Sequence, residues 1–420
     1  MAQRLQASHL LAVVSLCLLA SSLGGGKPLV TPITKDASTS LYTSPLEDTH
    51  PLVLDLSGPL IWTSTCDNPH QTIQLSEREC TQANQYTRPD CWTYTGTGSY
   101  DDAGGATKCA AHPYNPVAGG SCASGDLTRV TLSANATDGK NPLYPVTFPA
   151  VASCARESLL ANLPGGAAGV AGLARSELSL PAQVAATQSV ARKLALCLPS
   201  GGNGVAVFGG GPLYLLPPWL IEITSSMGST PLRRYQDQPG YYIWINGINI
   251  NQIPVPLLGH NSNYNVNGGE IVTELRRDVY RPFVEAFDNA STSGFGMQRV
   301  SPVAPFEMCY NRSKLWSTRV GYAVPQIDLI LEGGARYVVF GANSVVQVDD
   351  ATVCLAFVEM KRPEELGYAH GQQAPAMVMG GYQMENNLLV FDEEKEQLGY
   401  STLLLFRQTT CSNFNFTMAA

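Results

Sequence analysis

Residues 52–62 read LVLDLSGPLIW: three apolar residues run into Asp55, a turn of small residues follows, and the chain leaves through a second apolar run toward Cys66. A carboxylate at the end of a buried strand is costly to ionise unless donors surround it, so its placement signals either chemistry or a tightly bonded turn. The rest of the chain supports strands of this kind. With 39 Gly, 28 Pro and only 14% charged residues, the composition favours short strands joined by tight turns. A chain of 420 residues exceeds one ordinary core and predicts two lobes. The expected fold is all-β with a few short helices. A net charge of −8 argues against nucleic acid or an anionic membrane as the main partner.

Arg4, an apolar run from Leu10 to Ala20 and then small residues form the pattern of a cleaved secretory signal over residues 1–25. That run is short for a membrane span, and no later segment supplies about twenty uninterrupted apolar residues. Removing the signal removes Cys17 and leaves Cys66, Cys80, Cys91, Cys109, Cys122, Cys154, Cys197, Cys309, Cys354 and Cys411. An even set in an oxidising compartment predicts five disulfides. No C-x-x-C pair or H-E-x-x-H helix occurs, so no metal is expected. Sequons at Asn135, Asn289, Asn311 and Asn415 fit the secretory route.

The Gly-rich passage PSGGNGVAVFGGGP, Pro199 to Pro212, reads as a strand flanked by turns and divides a first lobe, 26–212, from a second, 213–420. AAGVAGLARSELSLPAQVA reads as strand, turn and short helix. In YYIWINGINI, Asn246 and Gly247 are expected to make a hairpin turn. RRDVYRPFVEAF predicts a helix with Val279, Phe283, Ala286 and Phe287 on one face. Near the end, one strand runs to Gly380, a second passes through Val390 and Phe391, and a third leaves at Leu398 after a charged turn. His50, His70, His112, His260 and His370 are scattered in polar contexts and read as surface residues. There is no G-x-S-x-G elbow.

LVLDLSGPLIWTSTC resembles the first active-site strand of pepsin-type aspartic proteases, in which an apolar strand delivers D-T-G-S and then L-x-W. GVAGLARSELSLPAQ and VMGGYQMENNLLVFDEEKEQLGYS resemble further passages of that family, so the resemblance spans the mature chain and implies a bilobal fold of two β-barrel lobes. Aspartic proteolysis needs two carboxylates on one water with their pKa values forced apart. Asp55 matches the first, but Leu56, Ser57 and Gly58 stand where the family has Thr, Gly and Ser. In NGGEIVTELRRDVYRPFVEAF, Thr273 is expected where the second Asp should be. The DDAGG passage, Asp102 to Gly104, reads as a turn, and Tyr114 matches the flap tyrosine. The resemblance implies a dismantled protease with Asp55 as a vestige. A weakly active aspartic endopeptidase is the alternative.

HPYNPVAGGSCASGDL, GVAVFGGGP, APFEMCYN, VGYAVPQIDLIL and TTCSNFNFT resemble a secreted plant group: the TAXI-type xylanase inhibitors, the extracellular dermal glycoprotein, the xyloglucan-specific endoglucanase inhibitors and the basic seed globulins. That resemblance implies a monomeric apoplastic defence protein, free of cofactor, that plugs a microbial glycoside hydrolase. The target would be a family-eleven xylanase or a family-twelve endoglucanase. In the endoglucanase-inhibiting branch two second-lobe arginines enter the enzyme cleft; Arg319 in WSTRVGYAVP matches the first, and Gln408, with Arg407 one residue earlier, falls at the second. On an extended segment that offset reverses the side chain. In the xylanase-inhibiting branch a histidine enters instead; Leu405 takes its place here, and Leu315 matches a contacting leucine. The resemblance pairs Cys309 with Cys354 and Cys197 with Cys411 and leaves the other six cysteines unassigned. The seed globulins add a third reading, a storage or peptide-binding role.

Overall fold

A computed structural model describes residues 26–419 except 48–49, 68, 88–90, 92–106, 118–120, 217–219, 236–237, 258–263, 271–272 and 361–373. Six strands join the two halves in one sheet, in the spatial order Gly228–Pro231, Gln397–Tyr400, Leu388–Asp392, Lys193–Cys197, Asn203–Phe208 and Leu29–Lys35. Leu388–Asp392 lies at the junction, with Leu389 opposite Leu196 on one side and Tyr400 on the other. Leu388, Leu389 and Phe391 are buried there, as expected for a strand covered on both faces. The end of the chain therefore folds as the second-half portion of this sheet, in the strand, turn, strand order read from its sequence.

The same sheet continues into the first lobe. Leu52–Asp55 runs parallel to Gly169–Gly172, which pairs antiparallel with Ile61–Thr63, which in turn runs parallel to Tyr144–Cys154. The second lobe repeats the arrangement. Tyr264–Glu270 runs parallel to Met377–Gly380, which pairs antiparallel with Thr273–Leu275, itself parallel to Phe357–Glu359. The two lobes thus share one pattern of strand directions. A helix, Arg277–Gly294, follows the second repeat and buries Val279, Phe283 and Phe287 on one face, with Ala286 packed at its margin. The strand Gly169–Gly172 and helix Leu180–Gln188 match the strand, turn and helix of the sequence.

The expected Asn246–Gly247 turn does not form. Trp244–Ile250 is one strand, bulged between Ile245 and Gly247 against Ile327–Leu331, and its hairpin turn falls at Asn251 and Gln252, both with positive φ. Burial explains the shift: Ile248 and Ile250 continue the apolar face past Gly247, and ending the strand earlier would expose them.

Five disulfides close the described cysteines: Cys66–Cys154, Cys80–Cys109, Cys91–Cys122, Cys197–Cys411 and Cys309–Cys354. Both pairs implied by resemblance are formed, and the three first-lobe bonds complete the set. No helix among the described residues is long and apolar enough to cross a membrane.

Candidate functional site

Asp55 ends its strand with only 3% of its surface exposed. Its Oδ1 accepts from the Ser57 backbone N–H at 2.8 Å, and its Oδ2 accepts from the Tyr114 hydroxyl at 3.1 Å. The backbone carbonyl of Asp55 also takes the N–H groups of Gly58 and Leu173. The turn thus supplies the donors that a buried carboxylate requires. Gly58 makes the close approach possible: a Cβ there would stand 2.8 Å from the Gly172 Cα and 3.0 Å from the Asp55 Oδ2. Tyr114, in an isolated antiparallel bridge with Cys122, accepts the Trp62 indole N–H on its carbonyl at 3.0 Å.

Leu56, the residue standing for the family's Thr, is buried and lines apolar pockets with Leu173, Leu389, Tyr241 and Met384. A hydroxyl at this position would face hydrocarbon, so the support it gives a proteolytic dyad has been replaced by packing. One side of Asp55 opens into a pocket lined by Leu60, Trp62, Tyr86, His112, Tyr114 and Val170. His112 is not a surface residue: it is 9% exposed, its Nδ1 has no hydrogen-bond partner among the described residues, and burial holds the imidazole below its ordinary range. Sequence reasoning missed it because a lone His between Ala111 and Pro113 carries no periodic signal. His260, His370 and the DDAGG turn lie outside the described residues.

Strand register compares the second lobe with the first. Asp55 pairs with Gly172, and Trp62 with Val170, two residues earlier. In the second lobe Glu270 pairs with Gly380, and Glu274 with Val378, again two residues earlier. By this pairing Glu270 meets Gly380 as Asp55 meets Gly172, with the second-lobe ladder slipping by one residue between Gly268 and Glu270, and Thr273 falls one residue before Glu274, the counterpart of Trp62. Five residues separate Asp55 from Ile61, and two separate Glu270 from Thr273. Thr273 itself is buried and bonded away: its N–H and hydroxyl both donate to the Gln383 Oε1 at 2.9 Å, and its Oγ1 accepts from the Gly380 N–H. Among the described residues no cluster of His, Cys, Asp or Glu is arranged to hold a metal ion.

The expected partner-facing residues lie on the second lobe in two neighbouring segments. Ser317–Thr318 and Gly321–Tyr322 form a tight hairpin with Arg319 exposed at its tip. Gly321 adopts φ +94°, and a Cβ there would collide with the Ala342 backbone, so the turn is locked against the short helix Gly341–Ser344. The Val320 carbonyl accepts the Ala342 N–H at 2.8 Å. Leu315 packs partly into the core, while its neighbour Trp316 is 80% exposed. The second segment is not extended. Leu404–Arg407 is a 3-10 turn ended by Gln408 in the left-handed region, so strand alternation does not decide where Arg407 and Gln408 point. Leu405 is half-buried, Gln408 is exposed, and Arg407 bonds to the Ser226 hydroxyl. Phe406 is 48% exposed and packs edge-on against Phe340 with centroids 4.9 Å apart. Since Phe340 opens the helix that holds the hairpin, one support carries both segments.

This architecture is that of a known group of pepsin-like proteins. The xylanase inhibitor N-terminal family matches residues 40–210 and the xylanase inhibitor C-terminal family residues 240–402; the chain belongs to this family. It is 55% identical to "Chitinase CLP" of Oryza sativa subsp. japonica over 98% of this chain and 99% of that protein. It is 35% identical to "Probable aspartic proteinase GIP2" of Nicotiana benthamiana over 94% of this chain and 93% of that one. The crystal structure of edgp superposes with a TM-score of 0.79 at 31% identity, covering 94% of this chain and 99% of that chain.

Proposed function

We propose that the mature chain, 26–420, is a secreted, monomeric protein of the cell-wall space. It binds a microbial glycoside hydrolase through the Trp316–Arg319 hairpin and the Leu404–Gln408 turn and silences it. The observation that carries this reading is the shared support of the two segments by Phe340 and the helix it opens, with Trp316, Arg319 and Phe406 all exposed on those segments. A retaining glycosidase holds two carboxylates about 5 Å apart across the scissile bond, and a guanidinium serves two carboxylate oxygens with its planar fork. Aromatic anchors beside such a cation supply the apolar burial that holds a complex together. Arg312 and Lys314 lie exposed just before the hairpin and add positive charge facing an acidic cleft. Sequons at Asn135, Asn289, Asn311 and Asn415 and the leader over 1–25 support the secretory route.

The test is titration of the disulfide-bonded chain against a family-eleven xylanase and a family-twelve xyloglucanase, with Arg319→Ala alongside. Stoichiometric loss of glycosidase activity, weakened by Arg319→Ala, supports the reading and names the target class. Full activity of both enzymes in the presence of excess chain rejects it.

A second reading, hydrolysis of chitin, is favoured by the rice relative's name together with the matching strand pairings of Asp55 with Gly172 and Glu270 with Gly380 in the two lobes. Two carboxylates from two strands are the minimum equipment of a glycosidase and equally of an aspartic endopeptidase. Release of sugar from chitin oligomers that is abolished by both Asp55→Asn and Glu270→Gln would establish it. Acid-pH digestion of haemoglobin with the same dependence would instead identify a residual endopeptidase.

A further inference from the structure

We propose that Asn135 carries an N-linked glycan whose first sugar, an N-acetylglucosamine, is seated in the groove beside it on the outer face of the first lobe. The inference rests on the secretory route in the reading above, and it concerns a modification that inhibition does not require.

The groove opens at a fork between strands. Leu29–Lys35 pairs with Gly125–Ala136 only at Leu29 with Ala136 and Val30 with Asn135, and further along it pairs with Tyr42–Ser44 instead. The open space at this fork is about 490 Å³, within the range of about 300–1,000 Å³ typical of small-molecule sites. Asn135 lines it where the strands part. Strand alternation sets its direction: Leu132, Ala134 and Ala136 are buried in the core, so Ser133 and Asn135 lie on the outer face. Pro145 stands directly across from Asn135, and Thr147 across from Ser133, both exposed. The second pair lies about 7 Å along the strand from the first, a step on the scale of one sugar ring.

Residues 135–137 read N-A-T, an acceptor pattern for N-glycosylation. The Asn135 amide makes no side-chain hydrogen bond among the described residues, so its Nδ2 is committed to nothing else. The Thr137 hydroxyl is buried in the fold and accepts the Gly139 N–H at 2.8 Å, so the transfer precedes folding of this strand. In that step the Nδ2 bonds to the anomeric carbon of a polyisoprenyl-diphosphate oligosaccharide. The bond from that carbon to the diphosphate breaks, the amide loses one proton, and the polyisoprenyl diphosphate leaves. In the folded chain the attached ring meets Pro32, Pro45 and Pro145, which offer apolar walls to its C–H face and bring no N–H of their own. The Ser133 and Thr147 hydroxyls line the same groove, make no hydrogen bond among the described residues, and answer the polar groups of the sugar.

The test expresses the full chain in a secretory host that attaches oligomannose glycans and maps occupancy by mass spectrometry of glycopeptides. An endoglycosidase that cuts just beyond the first N-acetylglucosamine then reads access to that sugar. Asn135 is expected to be occupied. Release from the folded chain is expected to be roughly tenfold slower, or more, than from the isolated Asn135 glycopeptide, because cutting requires the sugar to leave the groove. Ser133→Ala combined with Thr147→Ala keeps the sequon and should raise the folded-state rate by about threefold or more. An unmodified Asn135 in a secreted chain overturns the proposal and leaves secretion in place. Equal release from folded chain and glycopeptide also overturns it, as does slow release that the double variant leaves unchanged, which marks crowding alone. A chain retained inside the cell with every sequon unmodified rejects the secretory reading and the proposal with it.

Discussion

Replacing Cys197 and Cys411 by alanine together removes a crosslink spanning 214 residues. The Cys309–Cys354 bond short-circuits 45 of them, so the loop released in the unfolded chain is about 170 residues. Loop-closure entropy for that length corresponds to about 5 kcal/mol at 25 °C in the chain-entropy model. Both cysteines are fully buried, so lost sulfur packing adds to the cost. The bond also joins the end of the lobe-joining strand Lys193–Cys197 to the tail just after the Leu404–Arg407 turn. Urea unfolding, followed by tryptophan fluorescence and far-ultraviolet circular dichroism, measures the effect. With a slope of about 3 kcal/mol/M for a chain this large, the midpoint falls by roughly 1.5 M. Inhibition or ligand binding through the 404–408 turn weakens in parallel. A midpoint shift below about 0.5 M at unchanged slope would refute the loop argument, because it would mean that the unfolded chain gains little freedom from the release.

Three further outcomes are expected. Trp316→Ala weakens binding of the inhibited glycosidase by about 100-fold, since a side chain now 80% exposed loses burial worth about 2–4 kcal/mol; inhibition constants within threefold of the parent would remove Trp316 from the interface. Gly58→Ala destabilises the fold by about 1–3 kcal/mol through crowding of Gly172 and Asp55, read as a lowered urea midpoint with Asp55→Asn as the comparison. Glu385 has its pKa raised by burial, which outweighs the Lys35 ammonium at 2.6 Å and the Tyr42 hydroxyl. A raised carboxyl pKa contributes stability that is full below the unfolded value of 4.5 and is lost as pH climbs through the folded value. The thermal midpoint should therefore drop more between pH 4.5 and 7 in the parent than in Glu385→Gln, and parallel curves would contradict the assignment.

Local strand chemistry was legible in the sequence where burial is continuous. The three closing strands, the helix carrying Val279, Phe283 and Phe287, and the Asp55 turn all follow from apolar spacing with Gly and Pro punctuation. The family resemblance carried the bilobal fold, which periodicity alone does not specify. Four features were hidden for physical reasons. Gly247 is a bulge because the apolar face runs on to Ile250, and a turn dipeptide yields to burial. The shortened connection between Glu270 and Thr273, beside a slip in the ladder at Gly268, shows only in strand register. The helical turn at Leu404–Arg407 sits in a run of leucines that reads equally well as a strand end. The burial of His112 depends on Tyr86 and Trp62, residues distant in the chain that meet it only across the folded pocket.

The lobe-joining sheet has a topological consequence. Cys197 belongs to one half and Cys411 to the other, so a backbone cut at any single peptide bond between them, outside the smaller Cys309–Cys354 loop or within it, leaves one covalent molecule. Leu388–Asp392 would still pair with Lys193–Cys197 after such a cut. A protease secreted by a microbe could nick an exposed second-lobe loop without separating the halves, and the two fragments would part only when thiols reduce the bond and denaturant opens the sheet.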